Sequence, residues 1–155
     1  MLSAPFVRII EDHAEELTRA VIRDLQSNPR TPSYHQLSRE ALHNRVFDVY
    51  RNLGAWLGVE TDEAIEAKYN ELGRRRSAEN VPLSEVIYAL ILTKYHLRDY
   101  ILTAGLVGSA VALYQEQELQ RLVGHFFDKA IYYTARAYER GAIRRPATRA
   151  EAPAS

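Results

Sequence analysis

The sequence predicts an all-α domain of five or more helices that ends in a long C-terminal helix. Apolar residues recur at steps of three and four along most of the 155 residues, which is the spacing of one helix face. Candidate capping residues, prolines and glycines separate these segments. The alternating apolar and polar runs that would predict strands are absent from the sequence. Apolar residues make up 46% of the chain and charged residues 26%, which is typical of a globular protein.

The first predicted helix runs from Phe6 to Leu25. We expect His13 to pack inside, because it lies within the apolar stripe of this helix. The segment Asn28–Pro32 ends the helix, since proline lacks the backbone donor and restricts the residue before it. The stripe consists of Phe6, Ile10, Ala14, Leu17, Val21 and Leu25.

The second and third predicted helices each begin at a residue suited to N-capping. Ser38 precedes the second helix, with Glu40 in a first turn that favours negative charge, and Gly58 is predicted to end it. Thr61 precedes the third helix, which we expect to end near Ser77–Asn80. The inward-facing residues are predicted to be Leu42, Val46, Val49, Tyr50, Leu53 and Leu57 on the second helix, and Ile65, Tyr69 and Leu72 on the third.

A fourth helix is predicted from Pro82, which is tolerated in an opening turn, to about Thr103. Its segment Tyr88–Leu92 is apolar on every face. We therefore expect this helix to be the most buried element and the centre of the domain.

The last predicted helix runs from about Ala110 to Ile143, after an interruption at Gly105, Gly108 and Ser109. Its apolar stripe is broader than one core contact requires. The excess predicts a dimer interface, with burial inside a single chain as the alternative. The residues of this predicted interface are Leu119, Leu122, Val123, Phe126, Phe127, Ala130, Tyr133 and Ala137.

The organisation predicted is one folded domain over residues 1–143 and a disordered tail over residues 144–155, which has no periodic apolar residues. The chain has neither a signal-peptide pattern at its start nor an apolar run long enough to cross a membrane, so we expect a cytoplasmic protein.

Charge and composition exclude several classes of function. Lys and Arg balance Asp and Glu at 20 each, so the positive field needed for non-specific nucleic-acid or membrane binding is missing. No cysteine is present, which excludes thiol nucleophiles and thiolate metal sites. Phosphate-binding glycine loops and nucleophile elbows are also missing. We therefore predict a protein that is not an enzyme and needs no cofactor.

Two residues carry an alternative hypothesis of haem or tetrapyrrole binding. His96 lies on the central helix between Leu92 and Tyr100, and His125 lies on the last helix. A helical domain of this size can hold haem on one axial histidine. The competing interpretation for both is a core or boundary imidazole hydrogen-bonded to a neighbour. A third possibility, metal binding by Glu40 and His43, rests on a single Glu-x-x-His match where a di-iron bundle needs two.

Five cations are candidates for contact with a ligand or partner. Arg74, Arg75 and Arg76 form the one basic run, near the end of the third helix. A solvated helix end is the ordinary interpretation, and a phosphate or acidic partner is the alternative. Lys94 and Arg98 lie one turn apart on the central helix, and each is predicted either to be structural or to hold a ligand. In the structural role, Lys94 would pair with an acidic residue such as Glu71 or Glu85 or extend to solvent.

Three segments taken together resemble a known family. Asn28–Tyr34, Tyr69–Arg76 and Pro82–Leu90, in this order and spacing, resemble the N-terminal domain of the RsbR/RsbRD family, the bacterial stressosome scaffold proteins that act as co-antagonists in the general stress response. The same module is similar to N-terminal segments of some bacterial histidine kinases. The resemblance covers about residues 5–142.

The resemblance implies a globin-like helical fold without haem, usually a homodimer, that serves as a sensory or protein-contact module. In that family a C-terminal STAS domain builds the scaffold and carries the phosphorylated threonines. No STAS or kinase domain occurs before Ser155, so we expect a stand-alone signalling module with a protein partner and assign no phosphorylated residue.

Overall fold

The computed structural model describes residues 4–103 and 110–144 and confirms the all-α class with a long C-terminal helix. The predicted interruption at Gly105, Gly108 and Ser109 and the predicted tail from residue 145 onward lie outside the described residues. The α-helices are α1 (Ala4–Asp12), α2 (Ala14–Ser27), α3 (Arg39–Arg51), α4 (Asp62–Ala78), α5 (Leu83–Thr103) and α6 (Ala110–Arg144). A 3₁₀ turn covers Pro32–Tyr34, and a π-helix covers Ala55–Val59.

Both predicted N-caps are present. The hydroxyl of Ser38 accepts a hydrogen bond from the backbone N–H of Ala41 at 3.1 Å, and that of Thr61 accepts one from Ala64 at 3.2 Å. Each satisfies a donor that the first helical turn leaves without a partner. The predicted ends of α2, α4, α5 and α6 fall within two residues of the observed ones.

The segment predicted as one helix forms two helices, α1 and α2, because the chain turns at His13. Its backbone leaves the helical region (φ −105°, ψ 18°), and its Nδ1 atom lies 2.7 Å from the carbonyl oxygen of Ile9. The side chain thus competes for a helical carbonyl. The prediction that His13 packs inside was wrong, since it is exposed, while Ile10 and Ala14 on either side are buried.

Gly58 does not end α3, which already stops at Arg51. Asp48 accepts hydrogen bonds from the side-chain nitrogens of Asn52 at 2.7 Å and Trp56 at 3.0 Å. A third bond joins the backbone N–H of Gly54 to Glu11 at 2.8 Å. These contacts bind the segment after α3 to α1 and α3, and it continues as the π-helix that contains Gly58.

The core is formed by buried residues of all six α-helices, with α6 packing mainly against α4 and α5, and α2 packing against α3 and α5. Helix α4 crosses α6 at Gly73, where a Cβ atom would lie 2.9 Å from the Cβ of Ala137 and 2.9 Å from the backbone nitrogen of Tyr138. Only a residue without a side chain fits this crossing. Near the end of α4, the hydroxyl of Tyr138 donates to the carbonyl of Val81.

Helix α5 exposes one of its faces, although its segment Tyr88–Leu92 is apolar on every face. Val86, Leu90, Leu92, Leu97 and Ile101 are buried. The opposite face exposes Tyr95 at 58% and Leu102 at 60%, because α2 and α6 pack only against one side of α5. Within the described ranges, no helix is both long and apolar enough to span a membrane.

Candidate functional site

The residues predicted as a dimer interface on α6 lie mostly inside the chain. Among them only Leu122 and Tyr133 are half-buried. Burial in a single chain, the alternative considered from the sequence, therefore accounts for most of the broad stripe. The fully buried members are Leu119, Val123, Phe126, Phe127, Ala130 and Ala137.

The two histidines of the haem hypothesis occupy different environments. Nε2 of His96 lies 2.8 Å from Oδ2 of Asp24 on α2, so this half-buried imidazole binds a neighbouring carboxylate. His125 is exposed, which differs from the predicted boundary position. His43 contacts Glu15 at 2.9 Å rather than Glu40, so the Glu40/His43 pair is not brought together as a ligand set.

Four of the five candidate cations are exposed or half-buried, and the fifth, Arg76, is buried. Arg74 and Arg75 are exposed and both bind Glu71, Arg75 at 2.7 Å. The guanidinium of Arg98 donates to Gln120 on α6 at 3.0 Å. Lys94 is half-buried and has no ion pair within the described part of the chain, so neither acidic partner suggested for it is used.

Arg76 is different, because it is turned into the protein and only 4% exposed. Beside it lies a small cavity of about 40 Å³ between α2, α3, α4, α5 and the 3₁₀ turn. We call this space the inner cavity. Its lining is mostly apolar and consists of Leu25, Tyr34, Leu42, Arg45, Val46, Leu72, Arg76, Val86, Ala89, Leu90 and Thr93.

A second, more open space of about 250 Å³ is lined by the same two arginines. We call it the outer cleft, and the inner cavity and outer cleft together the arginine pocket. Arg45, Leu72 and Arg76 line both parts and so form the boundary between them. The other residues of the outer cleft are Asn44, Lys68, Tyr69, Glu71 and Arg75.

The two guanidinium groups at the boundary share one carboxylate, that of Glu79. Nη1 of Arg76 donates to Glu79 at 3.1 Å, whereas Nη2 of Arg45 is 3.9 Å from the same oxygen. Nη1 of Arg45 is buried and has no hydrogen-bond partner among the described residues. A buried donor without an acceptor costs free energy, and a buried charge costs more. Arg45 therefore presents an unused donor at the boundary.

The pKa shifts are consistent with a positive potential at this boundary. Burial, and next the neighbouring charge of Arg76, lower the pKa of Arg45. Burial raises the pKa of the Tyr34 hydroxyl, although the charges of Arg76 and Arg45 oppose the rise. Tyr34 is therefore neutral near pH 7 and keeps a proton to donate.

Two neighbouring acidic residues support the walls of the pocket. On one side, Oε1 of Glu85, a buried residue in the first turn of α5, accepts a hydrogen bond from the backbone N–H of Ser33 at 2.7 Å, which holds the 3₁₀ turn in place. On the other, Asp48 binds Lys68 at 3.2 Å. Burial would raise the pKa of Asp48, but the charge of Lys68 and the hydrogen bonds from Asn52, Lys68 and Trp56 lower it overall.

Sequence reasoning selected Arg76 but missed Arg45 and Tyr34. A signal for Arg45 was available: it falls between Leu42 and Val46, so helical spacing places a cation beside the apolar stripe of α3. For Tyr34, the sequence has no comparable signal, because its burial depends on the 3₁₀ turn packing against the helices.

Comparison of the chain with protein-family models, curated proteins and solved structures finds no match.

Proposed function

We propose that this protein is a non-enzymatic regulatory domain of a cytoplasmic bacterial signalling pathway that responds to an anion bound in the arginine pocket. The observation that carries the proposal is the buried, unpartnered Nη1 of Arg45 beside the buried guanidinium of Arg76. Guanidinium groups bind carboxylates and phosphates through directed, charge-assisted hydrogen bonds. An anion at this position would supply the acceptor that Glu79 does not provide.

The chemistry of the pocket favours binding over catalysis. General acid–base work needs a group that changes its proton near neutral pH, whereas the arginines stay charged and burial keeps the Tyr34 hydroxyl protonated. The pocket thus supplies donors and an apolar wall, which fit a ligand that is held without being transformed.

A route for regulation follows from the position of Arg76 in α4. It lies one turn beyond Gly73, where α4 crosses α6 with almost no spare space. A ligand that binds Arg76 more tightly in one placement of α4 than in another would shift the equilibrium between those placements. Because close-packed interfaces transmit small displacements, the long helix α6 would respond.

The first prediction concerns anion binding itself. At low ionic strength, where charge interactions are least screened, we expect at least one of acetate, phosphate and sulfate to raise the Tm of the protein, and Arg45→Gln to abolish the rise. Hydrogen exchange at the C-terminal turn of α4 should slow in parallel. Arg121→Gln is the matched control, since Arg121 is exposed and paired with Glu118 on α6. Equal responses in wild type and Arg45→Gln would contradict the proposal.

We further propose that two copies of the chain pair through the outer face of α5 and the start of α6. Arg98 contacts Gln120, so the exposed stripe of Tyr95 and Leu102 adjoins that of Leu113. Large exposed apolar groups on adjacent helices are typical of an interaction surface. The internal stripe of α6 does not contribute, because its residues are already buried.

A second prediction tests this pairing. Light scattering should give the mass of a dimer for the wild type at tens of micromolar and that of a monomer for Leu102→Lys combined with Leu113→Lys, because charges would be placed in an apolar contact. Tyr132→Lys, at an exposed position near the other end of α6, should remain dimeric. A monomeric wild type would refute the dimer while leaving the anion site untouched.

A further inference from the structure

The two parts of the arginine pocket differ in chemistry. The inner cavity is walled by aliphatic side chains from four helices, including Leu25, Leu42, Val46 and Val86. The outer cleft is lined by Arg45, Lys68, Arg75 and Arg76 with Glu71 as the acidic residue in its lining. A ligand that occupies both parts needs an apolar body and one acidic head at the boundary.

The inner end of the cavity offers little for a polar group to bind. The Thr93 hydroxyl already donates to the carbonyl of Ala89, one turn earlier in α5, at 2.8 Å. Tyr34 and the arginines are the other polar residues of the lining, and the charges of both arginines act on the Tyr34 hydroxyl. The polar groups therefore lie together at the boundary, and the apolar part of a ligand fits deeper in.

The size of the inner cavity limits the apolar body. Its volume of about 40 Å³ is a few times the roughly 10–15 Å³ that one water needs, so a small apolar group suits it. A short, compact alkyl group matches this size, whereas a long acyl chain must displace core side chains or extend out of the cavity.

From this geometry we infer that the ligand is a short-chain monocarboxylic acid, with its alkyl group in the inner cavity and its carboxylate between Arg45 and Arg76. This inference rests on the proposed function, since it names the anion for that site. The carboxylate accepts from the unpartnered Nη1 of Arg45 and from Arg76. Its alkyl group gains the hydrophobic contribution of burial.

Three other compounds each lack one feature of a short-chain carboxylate. Inorganic phosphate carries the charge without an apolar body, so it leaves the inner cavity empty. The amide of the same acid has the shape without the charge, so it leaves the guanidinium groups without an anion. Octanoate has both but exceeds the cavity. Isobutyrate, with a compact three-carbon body, matches charge, shape and size.

The test is calorimetric titration of the full chain at low ionic strength with isobutyrate, isobutyramide, inorganic phosphate and octanoate. We expect isobutyrate to bind about tenfold or more tightly than each of the other three, because each lacks one interaction of the order of a hydrogen bond or a buried alkyl group. Comparable affinity for phosphate or for isobutyramide would overturn the assignment of a carboxylate.

Two variants locate the ligand within the pocket. Arg45→Gln should abolish isobutyrate binding, and Ala89→Leu, which extends a side chain into the inner cavity, should weaken it about tenfold while leaving Arg45 in place. Ala89→Val is the smaller version to use if the leucine variant does not fold. Arg121→Gln should bind as the wild type does. Unchanged affinity in both Ala89 variants would overturn the placement of the alkyl group.

The outcomes separate this inference from the proposed function. If phosphate binds in an Arg45-dependent way and isobutyrate binds no better, the anion site stands and the carboxylate assignment fails. If none of the four compounds binds, both fail.

Discussion

Gly73→Ala should lower the free energy of unfolding by about 3 kcal/mol, because the new methyl group has no space at the crossing of α4 and α6. Its Cβ would lie 2.9 Å from the Cβ of Ala137 and 2.9 Å from the backbone nitrogen of Tyr138. Backbone atoms of α6 must move to relieve the contact, and this cost exceeds the gain of about 1 kcal/mol that alanine brings to a helix interior. Urea unfolding followed by far-UV circular dichroism measures the change.

Gly124→Ala is the matched control for this prediction. Gly124 is also inside a helix, but a Cβ there would meet no atom within 4 Å. Only the higher helix propensity of alanine then acts, so we expect the free energy of unfolding of this variant to be higher by about 0.5–1 kcal/mol. The two glycine-to-alanine substitutions should thus change the free energy of unfolding in opposite directions. A Gly73→Ala protein as stable as the wild type would refute the close crossing of α4 and α6.

Tyr50→Ala should be the most destabilising of the single changes considered, by about 4 kcal/mol. Tyr50 on α3 is 0% exposed and is among the largest fully buried side chains. Its hydroxyl donates to the carbonyl of Thr93 on α5 at 2.6 Å, so it joins two helices that line the arginine pocket. Removing the ring leaves a cavity that the surrounding helices fill only in part.

Tyr50→Phe separates the hydroxyl from the ring in the same measurement. It keeps the packing and loses one buried hydrogen bond, so we expect a loss of about 1 kcal/mol. Tyr132→Ala removes an equal ring from an exposed position of α6 and should cost less than about 1 kcal/mol. A Tyr50→Ala protein that unfolds at the same urea concentration as Tyr132→Ala would contradict the placement of Tyr50 in the core.

The features that local sequence predicted correctly are those that local physics decides. Ser38 and Thr61 cap their helices because a hydroxyl reaches the free N–H groups of the next turn, and no distant residue is needed. The limits of α6 follow equally from an uninterrupted apolar repeat. The resemblance to the RsbR/RsbRD domain remains a hypothesis about function, to be judged by the binding and mass measurements above.

The features missed depend on contacts between distant parts of the chain. The π-helix that contains Gly58 is held by Asp48 and by Glu11, which lies 43 residues from its partner Gly54. The apolar run Tyr88–Leu92 predicted that α5 is the most buried element, but one face of α5 is exposed because no described helix covers it. Periodicity identifies an apolar face without identifying what packs against it.

The sequence by itself determined the all-α class, the helix caps and the length of α6, because helix formation depends on propensity, capping and spacing within a few residues. Only the tertiary structure decided which way each candidate cation faces. Arg74, Arg75 and Arg76 are consecutive, yet a helix turns each by about 100° from the last, so two face solvent and the third enters the core. The packing of α3, α4 and α5 then places Arg76 beside Arg45, 31 residues earlier in the chain, and forms the arginine pocket.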